Sequence, residues 1–68
     1  MNNHVRTRRT DRGWTQAQLG DLVGVSRQTI NAIEAGRHDP SLTLAFELAN
    51  VLEEQIETLF EPDRTAMR

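Results

Sequence analysis

The sequence predicts an all-α fold, a compact bundle of five short helices in a single domain that spans residues 1–68. Three observations lead to this prediction. Apolar residues recur three and four positions apart, as on a helix face, and do not alternate as in a strand. Serine or threonine precedes three of these apolar stretches, where a helix N-cap is expected. Breaks follow at short intervals, at Gly13, Gly24, Gly36 and Pro40.

The first two helices differ in how strongly the sequence supports them. The first is expected over about residues 3–12, where Val5 is the only aliphatic residue, so it rests on helix propensity and on the glycine that follows it. The second begins after Thr15, and Gln18 three residues later completes a capping box. Trp14 and Leu19 then have the spacing of a hydrophobic staple. The apolar face of this helix consists of Leu19, Leu22 and Val23.

The remaining three helices follow from the same signals. The third starts at the N-cap Ser26 and ends before Gly36, with Ile30 and Ile33 facing inward. The fourth starts at Ser41 and is expected to end near residue 52. The fifth is a short turn of helix within EQIETLF, and residues 61–68 are expected to form a frayed tail. No strand is expected anywhere in the chain.

The second and third helices form the most specific pattern in the sequence. About three residues join them, and Gly24 among these suits a sharp turn, so together they predict a helix-turn-helix unit over about residues 15–36. Gly20 is expected where the two helices cross too closely for a larger side chain. The apolar residues that face each other across the unit are Leu19, Val23, Val25, Ile30 and Ile33.

Charge is distributed unevenly along the chain, although the net charge is only −2. From Met1 to Arg37, six arginines accompany three acidic residues. From His38 to Arg68, two arginines accompany seven acidic residues. A basic half exerts its field locally, so a negative total does not exclude a polyanionic partner. Nucleic acid is therefore expected to approach the amino-terminal half.

The outward face of the third helix carries the candidate base-reading residues. In a helix-turn-helix protein this helix enters the major groove of double-stranded DNA, where its first residues meet base edges. Arg27 matches the O6 and N7 atoms of guanine, Gln28 matches N6 and N7 of adenine, and Ala32 is small enough to touch a thymine methyl. Backbone or mixed contacts are expected from polar residues at the helix starts and on the third helix: Thr15, Gln16, Ser26, Thr29 and Asn31.

The segment TQAQLGDLVGVSRQTINAIEAGRHDPSL resembles the phage-repressor and Cro-like, or XRE, family of helix-turn-helix transcriptional regulators. With PSLTLAFELANVL and IETLF, the resemblance covers about residues 5–60. It implies a lambda-repressor-like fold and DNA binding as a homodimer. It implies base reading by Arg27, Gln28 and Ala32, phosphate contacts from Gln16, Arg37 and His38, and an ion pair between Arg9 and Glu34. Some small relatives continue into dimerising strands, but EPDRTAMR lacks a β pattern and the feature is not expected here.

The fourth helix carries more apolar surface than one core needs, since only Thr43, Glu47 and Asn50 define its polar strip. Together with the fifth helix it suggests a dimerisation part over about residues 41–60. The interface residues expected are Leu44, Val51, Ile56, Leu59 and Phe60. The alternative is that this surplus packs entirely inside one small protomer.

The function predicted is sequence-specific binding of double-stranded DNA by a transcriptional regulator, a repressor that occupies an operator as a homodimer. An antitoxin-like module, which binds a protein partner and its own promoter, is the alternative. No enzyme is expected, because no nucleophile–base arrangement, carboxylate pair in a cleft or glycine-rich phosphate loop is visible. No small-molecule ligand is evident.

The sequence also argues against several other classes of protein. It has no cysteine, and its two histidines, His4 and His38, are isolated, so neither a metal site nor a cofactor is expected. No apolar run approaches the roughly 20 residues that cross a bilayer. The amino terminus lacks the apolar segment of a signal peptide. We therefore expect no membrane partner and a cytoplasmic location.

Overall fold

Five helices lie between two very short strands in the computed structural model, which describes residues 1–61. The elements are β1 (Asn2–Asn3), α1 (Val5–Asp11), α2 (Gln16–Val23), α3 (Arg27–Glu34), α4 (Leu42–Val51), α5 (Ile56–Leu59) and β2 (Phe60–Glu61). The predicted order of five helices is confirmed, and the first helix starts two residues later than expected. Residues 62–68, expected as a tail, lie outside the described part. No helix among the described residues is long and apolar enough to span a membrane.

Side-chain caps fix the starts of the three central helices, as the sequence predicts. The Thr15 hydroxyl accepts a hydrogen bond from the backbone N–H of Gln18, whose side chain in turn accepts from the backbone N–H of Thr15. Ser26 caps α3 and Ser41 caps α4 in the same way, each through the N–H three residues later. Each cap satisfies a donor that the helix itself leaves free and typically contributes about 1 kcal/mol.

The turn between α2 and α3 depends on two glycines. Gly24 ends α2 with a φ of 78°, in the left-handed region that a residue with a Cβ enters at a cost. Gly20 lies inside α2 against the turn itself: a Cβ there would stand 2.5 Å from the carbonyl oxygen of Val25. The close approach is thus between α2 and the backbone of the turn, rather than between the two helix bodies.

One hydrophobic core joins all five helices. Its fully or nearly fully buried members are Val5, Leu19, Val23, Ile30, Ile33, Ala45, Leu48, Ala49, Leu52, Leu59 and Phe60, with Trp14, Val25, Leu44, Val51 and Ile56 half-buried around it. Val5 is fully buried although it is the only aliphatic residue of α1. The packing of that helix therefore rests on one aliphatic side chain together with polar contacts.

The prediction that no strand occurs is wrong, because β1 and β2 pair in an antiparallel ladder. Asn2 lies opposite Glu61, and Asn3 lies opposite Phe60. The Asn3 side chain donates a hydrogen bond to the carbonyl of Ile33 at 2.8 Å, near the end of α3. Two-residue strands are too short to show alternation, so the sequence pattern carries no signal for them. Glu61, expected in the frayed tail, belongs to this ladder.

Two of the five predicted interface residues cannot serve an interface between subunits. Leu59 has no exposed surface and Phe60 is 6% exposed, because both complete the core of a single protomer. The surplus apolar surface of α4 also lies elsewhere than predicted. Leu42 and Phe46, one turn apart, are 70% and 55% exposed, whereas Leu44 and Val51 on the opposite edge are half-buried against the core.

The end of α4 is held by an arginine from α1's carboxyl-terminal side. Arg12 donates to the carbonyl of Leu52 at 3.0 Å and to the carboxylate of Glu53 at 3.3 Å, while its guanidinium stacks 5.5 Å from the centre of the Trp14 ring. Glu53 itself adopts a φ of 56°, which is unusual for a residue other than glycine. The sequence did not predict a left-handed residue after α4, because the sequence signal for such a conformation is a glycine and position 53 is a glutamate.

Candidate nucleic-acid interface

The three predicted base-reading residues lie together on the outer face of α3. At 3.6 residues per turn, Arg27, Gln28, Asn31 and Ala32 occupy one arc of about 140°, on the side opposite the buried Ile30 and Ile33. Arg27 and Gln28 are exposed at the first turn, and Ala32 is half-buried one turn later. The core therefore fixes which side of the helix faces solvent, and this side carries the donors and acceptors.

The hydroxyl groups predicted to contact DNA are engaged in capping. The Ser26 hydroxyl accepts the backbone N–H of Thr29 and lies 3.1 Å from the Thr29 hydroxyl. The Thr15 hydroxyl accepts the N–H of Gln18 at 3.0 Å. A hydroxyl has two acceptor lone pairs and one donor, so each retains some capacity for a further partner. Their first role is to place the starts of α2 and α3.

Arg37 and His38 lie in the exposed segment that follows α3. The helix ends in a Schellman motif, in which the N–H of Arg37 bonds to the carbonyl of Ala32 and that of Gly36 bonds to Ile33, both at 3.0 Å. Gly36 has a φ of 76°, as such a motif requires. The backbone of Arg37 is thereby fixed against the last turn of α3, close to the face described above.

Arg9 and Glu34 form a buried ion pair that joins α1 to the end of α3. The guanidinium donates Nε to one carboxylate oxygen at 2.7 Å and a terminal nitrogen to the other at 3.1 Å, and it also reaches the carbonyl of Trp14. The two side chains are 10% and 4% exposed. Bidentate geometry of this kind is the strongest form of charge-assisted hydrogen bond.

A line of hydrogen bonds, which the sequence did not predict, extends this pair to the protein surface. Gln16, the first residue of α2, donates its amide to Glu34 at 3.0 Å. Asn31 donates to the Gln16 side-chain oxygen at 3.5 Å, and Arg37 donates to the Asn31 side-chain oxygen at 3.0 Å. We call Arg37, Asn31, Gln16, Glu34 and Arg9 the polar relay. Only the arginine and glutamate at its inner end had a sequence signal, through the family resemblance.

The arginines of the amino-terminal half are not equally available to a polyanion. Arg9 is buried, Arg12 caps α4, and Arg8 pairs with Asp11 at 3.3 Å. Arg27 makes no ion pair within residues 1–61 and extends from the start of α3. Within residues 1–61, the arginines of this half that are exposed and make no ion pair are therefore Arg6 on α1, Arg27 at the start of α3 and Arg37 in the segment after it.

Comparison with known families and proteins places this geometry in context. A family profile described as Helix-turn-helix matches residues 5–59. An uncharacterized HTH-type transcriptional regulator of Methanothermobacter thermautotrophicus is 48% identical over 61 residues, which cover 88% of each chain. The HTH-type transcriptional regulator YgzD of Bacillus subtilis, also described as uncharacterized, is 42% identical over 60 residues, covering 88% of this chain and 91% of that one.

Two solved structures share the fold at comparable length. The P22 c2 repressor in complex with synthetic operator 9T superimposes with a TM-score of 0.83 at 30% identity, covering 88% of this chain and 91% of that one. The restriction-modification controller protein C.AhdI from Aeromonas hydrophila gives a TM-score of 0.77 at 32% identity, covering 84% and 86%. The overall fold is therefore lambda-repressor-like, and the strand pair is a minor element of it.

Proposed function

The chain belongs to the helix-turn-helix family of DNA-binding transcriptional regulators, and from that premise we propose that it is a repressor that occupies an operator as a homodimer. The observation that carries the proposal is the outer face of α3, where Arg27 and Gln28 stand exposed at the first turn with the core directly behind them. The structural similarity of the chain to the P22 c2 repressor supports a repressor rather than an activator. We propose further that it acts by binding rather than by catalysis, and that it does so in the cytoplasm.

The proposed complex places α3 in the major groove. Arg27 then donates two hydrogen bonds to a guanine, Gln28 pairs with an adenine, and Ala32 contacts a thymine methyl. Gln16 at the start of α2, together with Thr15, Ser26 and Thr29, faces the phosphates on one side of the groove, and Arg37 with His38 faces them on the other. Phosphate contacts set the overall affinity, and the base contacts set the preference among sequences.

A homodimer gives this small domain two recognition helices on one duplex. We propose that the interface uses Leu44, Val51 and Ile56, which are half-buried on one edge of the α4–α5 surface. Two-fold symmetry then predicts an operator with inverted half-sites whose centres lie about 34 Å apart, one turn of DNA.

Selection of bound sequences from a random double-stranded DNA pool tests the readout and the symmetry together. An enriched inverted repeat is the expected result. A single enriched half-site contradicts the dimer on DNA but retains the regulator. Recovery of no preferred sequence, with only salt-sensitive general binding, contradicts unaided base reading.

The role of Arg27 is tested by replacing it with alanine on the selected site. We expect Arg27→Ala to lose about 1–3 kcal/mol of binding free energy and to relax the preference at one base position. Arg6→Ala is the matched control, since it removes the same charge from an exposed position on α1. Equal losses in the two variants, with the base preference intact, would show that Arg27 contributes charge alone.

The interface is tested by sedimentation. Val51→Glu places a charge on the proposed edge and is expected to shift the protein toward monomer, whereas Phe46→Glu on the other edge of α4 leaves the dimer intact. The opposite pattern moves the interface to the exposed pair Leu42 and Phe46. Far-ultraviolet circular dichroism of both variants confirms that each remains folded.

A further inference from the structure

We propose that Asn31 is a positioning residue, which holds the guanidinium of Arg37 in one arrangement ready to receive a DNA phosphate. The inference rests on the proposed function, and it assigns to Asn31 a role through its neighbours rather than a contact with bases. Within the polar relay, Asn31 is the link between the buried ion pair and the exposed arginine.

The chemistry of the two ends fixes the direction of every hydrogen bond in the relay. A carboxylate can only accept, so Gln16 must turn its NH₂ group toward Glu34, which leaves its oxygen facing Asn31. A guanidinium can only donate, so Asn31 must turn its oxygen toward Arg37, which leaves its NH₂ group facing Gln16. The two requirements meet without conflict at the Asn31–Gln16 contact of 3.5 Å, the longest of the series.

The backbone of Arg37 adds a second restraint on the same side chain. Its N–H is bonded to the carbonyl of Ala32 in the Schellman motif, so both the start and the tip of this long side chain are attached to α3. An exposed arginine otherwise samples many rotamers, and ordering it on binding costs free energy. Asn31 removes part of that entropy loss before DNA arrives, and it leaves the other guanidinium nitrogens free.

The same contacts argue against base reading by Asn31. Its side-chain oxygen is taken by Arg37 and its NH₂ group faces Gln16, so a bidentate pair with adenine would require both contacts to be broken. Arg27 and Gln28 make no such side-chain hydrogen bonds among the described residues, and they remain available for base edges. Neighbouring residues on one face of α3 thus have different proposed roles: Arg27 and Gln28 contact bases, and Asn31 positions Arg37.

A double-mutant cycle on DNA separates the two roles. Asn31→Ala and Arg37→Ala are each expected to weaken binding to the selected site by about tenfold, and the double variant by little more than Arg37→Ala alone. Asn31→Ala should weaken binding to all DNA sequences by the same factor, and it should lower the salt dependence of the binding constant by no more than Arg37→Ala does, because the charge of Arg37 is retained. Asn50→Ala, an exposed asparagine on α4, is the matched control and should change affinity less than twofold.

Losses that multiply in the double variant would overturn the proposal, because the two side chains would then act independently. A changed base preference at one position in Asn31→Ala would also overturn it, since that is the signature of direct reading. Uniform weakening accompanied by a loss of helical circular dichroism in Asn31→Ala would also overturn it, because the variant would then have lost its fold rather than the positioning of one side chain.

A measurement without DNA makes failure of this inference distinguishable from failure of the proposed function. Nitrogen-15 relaxation of the Arg37 side chain should show restricted motion in the parent protein and free motion in Asn31→Ala. Asn31→Asp, which retains an acceptor for the guanidinium, should restore the restriction. If Arg37 is equally mobile in all three proteins, the positioning role is wrong even where DNA binds. If the restriction follows Asn31 but no DNA sequence is preferred, the proposed function fails and the relay is structural only.

Discussion

Removal of one partner from the Arg9–Glu34 pair is expected to destabilise the domain more than any surface change. Arg9→Met keeps the length and packing of the aliphatic stem but leaves Glu34, whose side chain is 4% exposed, with Gln16 as its remaining side-chain partner. An uncompensated buried charge of this kind typically costs about 3–5 kcal/mol. A domain of this size has a total stability of about 3–10 kcal/mol, so much of the stability of the fold is at stake.

Urea denaturation followed by circular dichroism measures this loss. With a dependence on urea of about 1 kcal/mol per molar, the midpoint should fall by about 3 M or more. Arg8→Met is the matched control, because Arg8 lies one residue earlier in an exposed pair with Asp11 and should change stability by no more than about 0.5 kcal/mol.

The double variant Arg9→Met/Glu34→Leu distinguishes the free-energy cost of leaving Glu34 unpaired from the net contribution of the ion pair to stability. It should recover most of the lost stability, because apolar replacements of a buried pair are often close to neutral. A loss below about 1 kcal/mol in Arg9→Met, or a double variant as unstable as the single one, would refute the reasoning.

Three further substitutions have signs set by local geometry. Gly20→Ala should lower stability by about 1–2 kcal/mol in urea denaturation, because the contact of its Cβ with Val25 outweighs the gain in helix propensity; an unchanged midpoint would mean that the turn moves freely. Glu53→Gly should raise the thermal midpoint by about 2–4 °C, since relief of the positive φ, about 1 kcal/mol, is offset in part by loss of its exposed ion pair with Arg12, about 0.5 kcal/mol; a lowered midpoint would mean that the ion pair outweighs the backbone strain. Leu48→Ala should cost about 2–5 kcal/mol by opening a cavity in the core, as measured by urea denaturation; a smaller loss would show that the core collapses around it.

The helices and their caps could be predicted because their signals are local. Thr15, Ser26 and Ser41 each stand before a helical apolar pattern, and each caps a helix in the structure. The orientation of α3 followed from Ile30 and Ile33, since burial of one face exposes the other. The base-reading and phosphate-contacting assignments on that face remain predictions.

The contacts between distant residues could not be predicted from spacing. Arg12 reaches Leu52, and Gln16 reaches Glu34, through side-chain positions that depend on how the helices pack. The error over Leu59 has the same origin. Periodicity shows that a residue is apolar and on which face it lies, but whether that face meets its own core or another subunit is decided by the packed arrangement.

The ladder between β1 and β2 has a mechanical consequence for the domain. It holds the two ends of the described chain side by side, and Asn3 of that ladder also bonds to the carbonyl of Ile33 near the end of α3. A tension or a bulky fusion applied at the amino terminus therefore acts on the helix proposed to read DNA. One residue, Asn3, thus connects the strand pair at the chain ends to the carboxyl-terminal part of the proposed recognition helix.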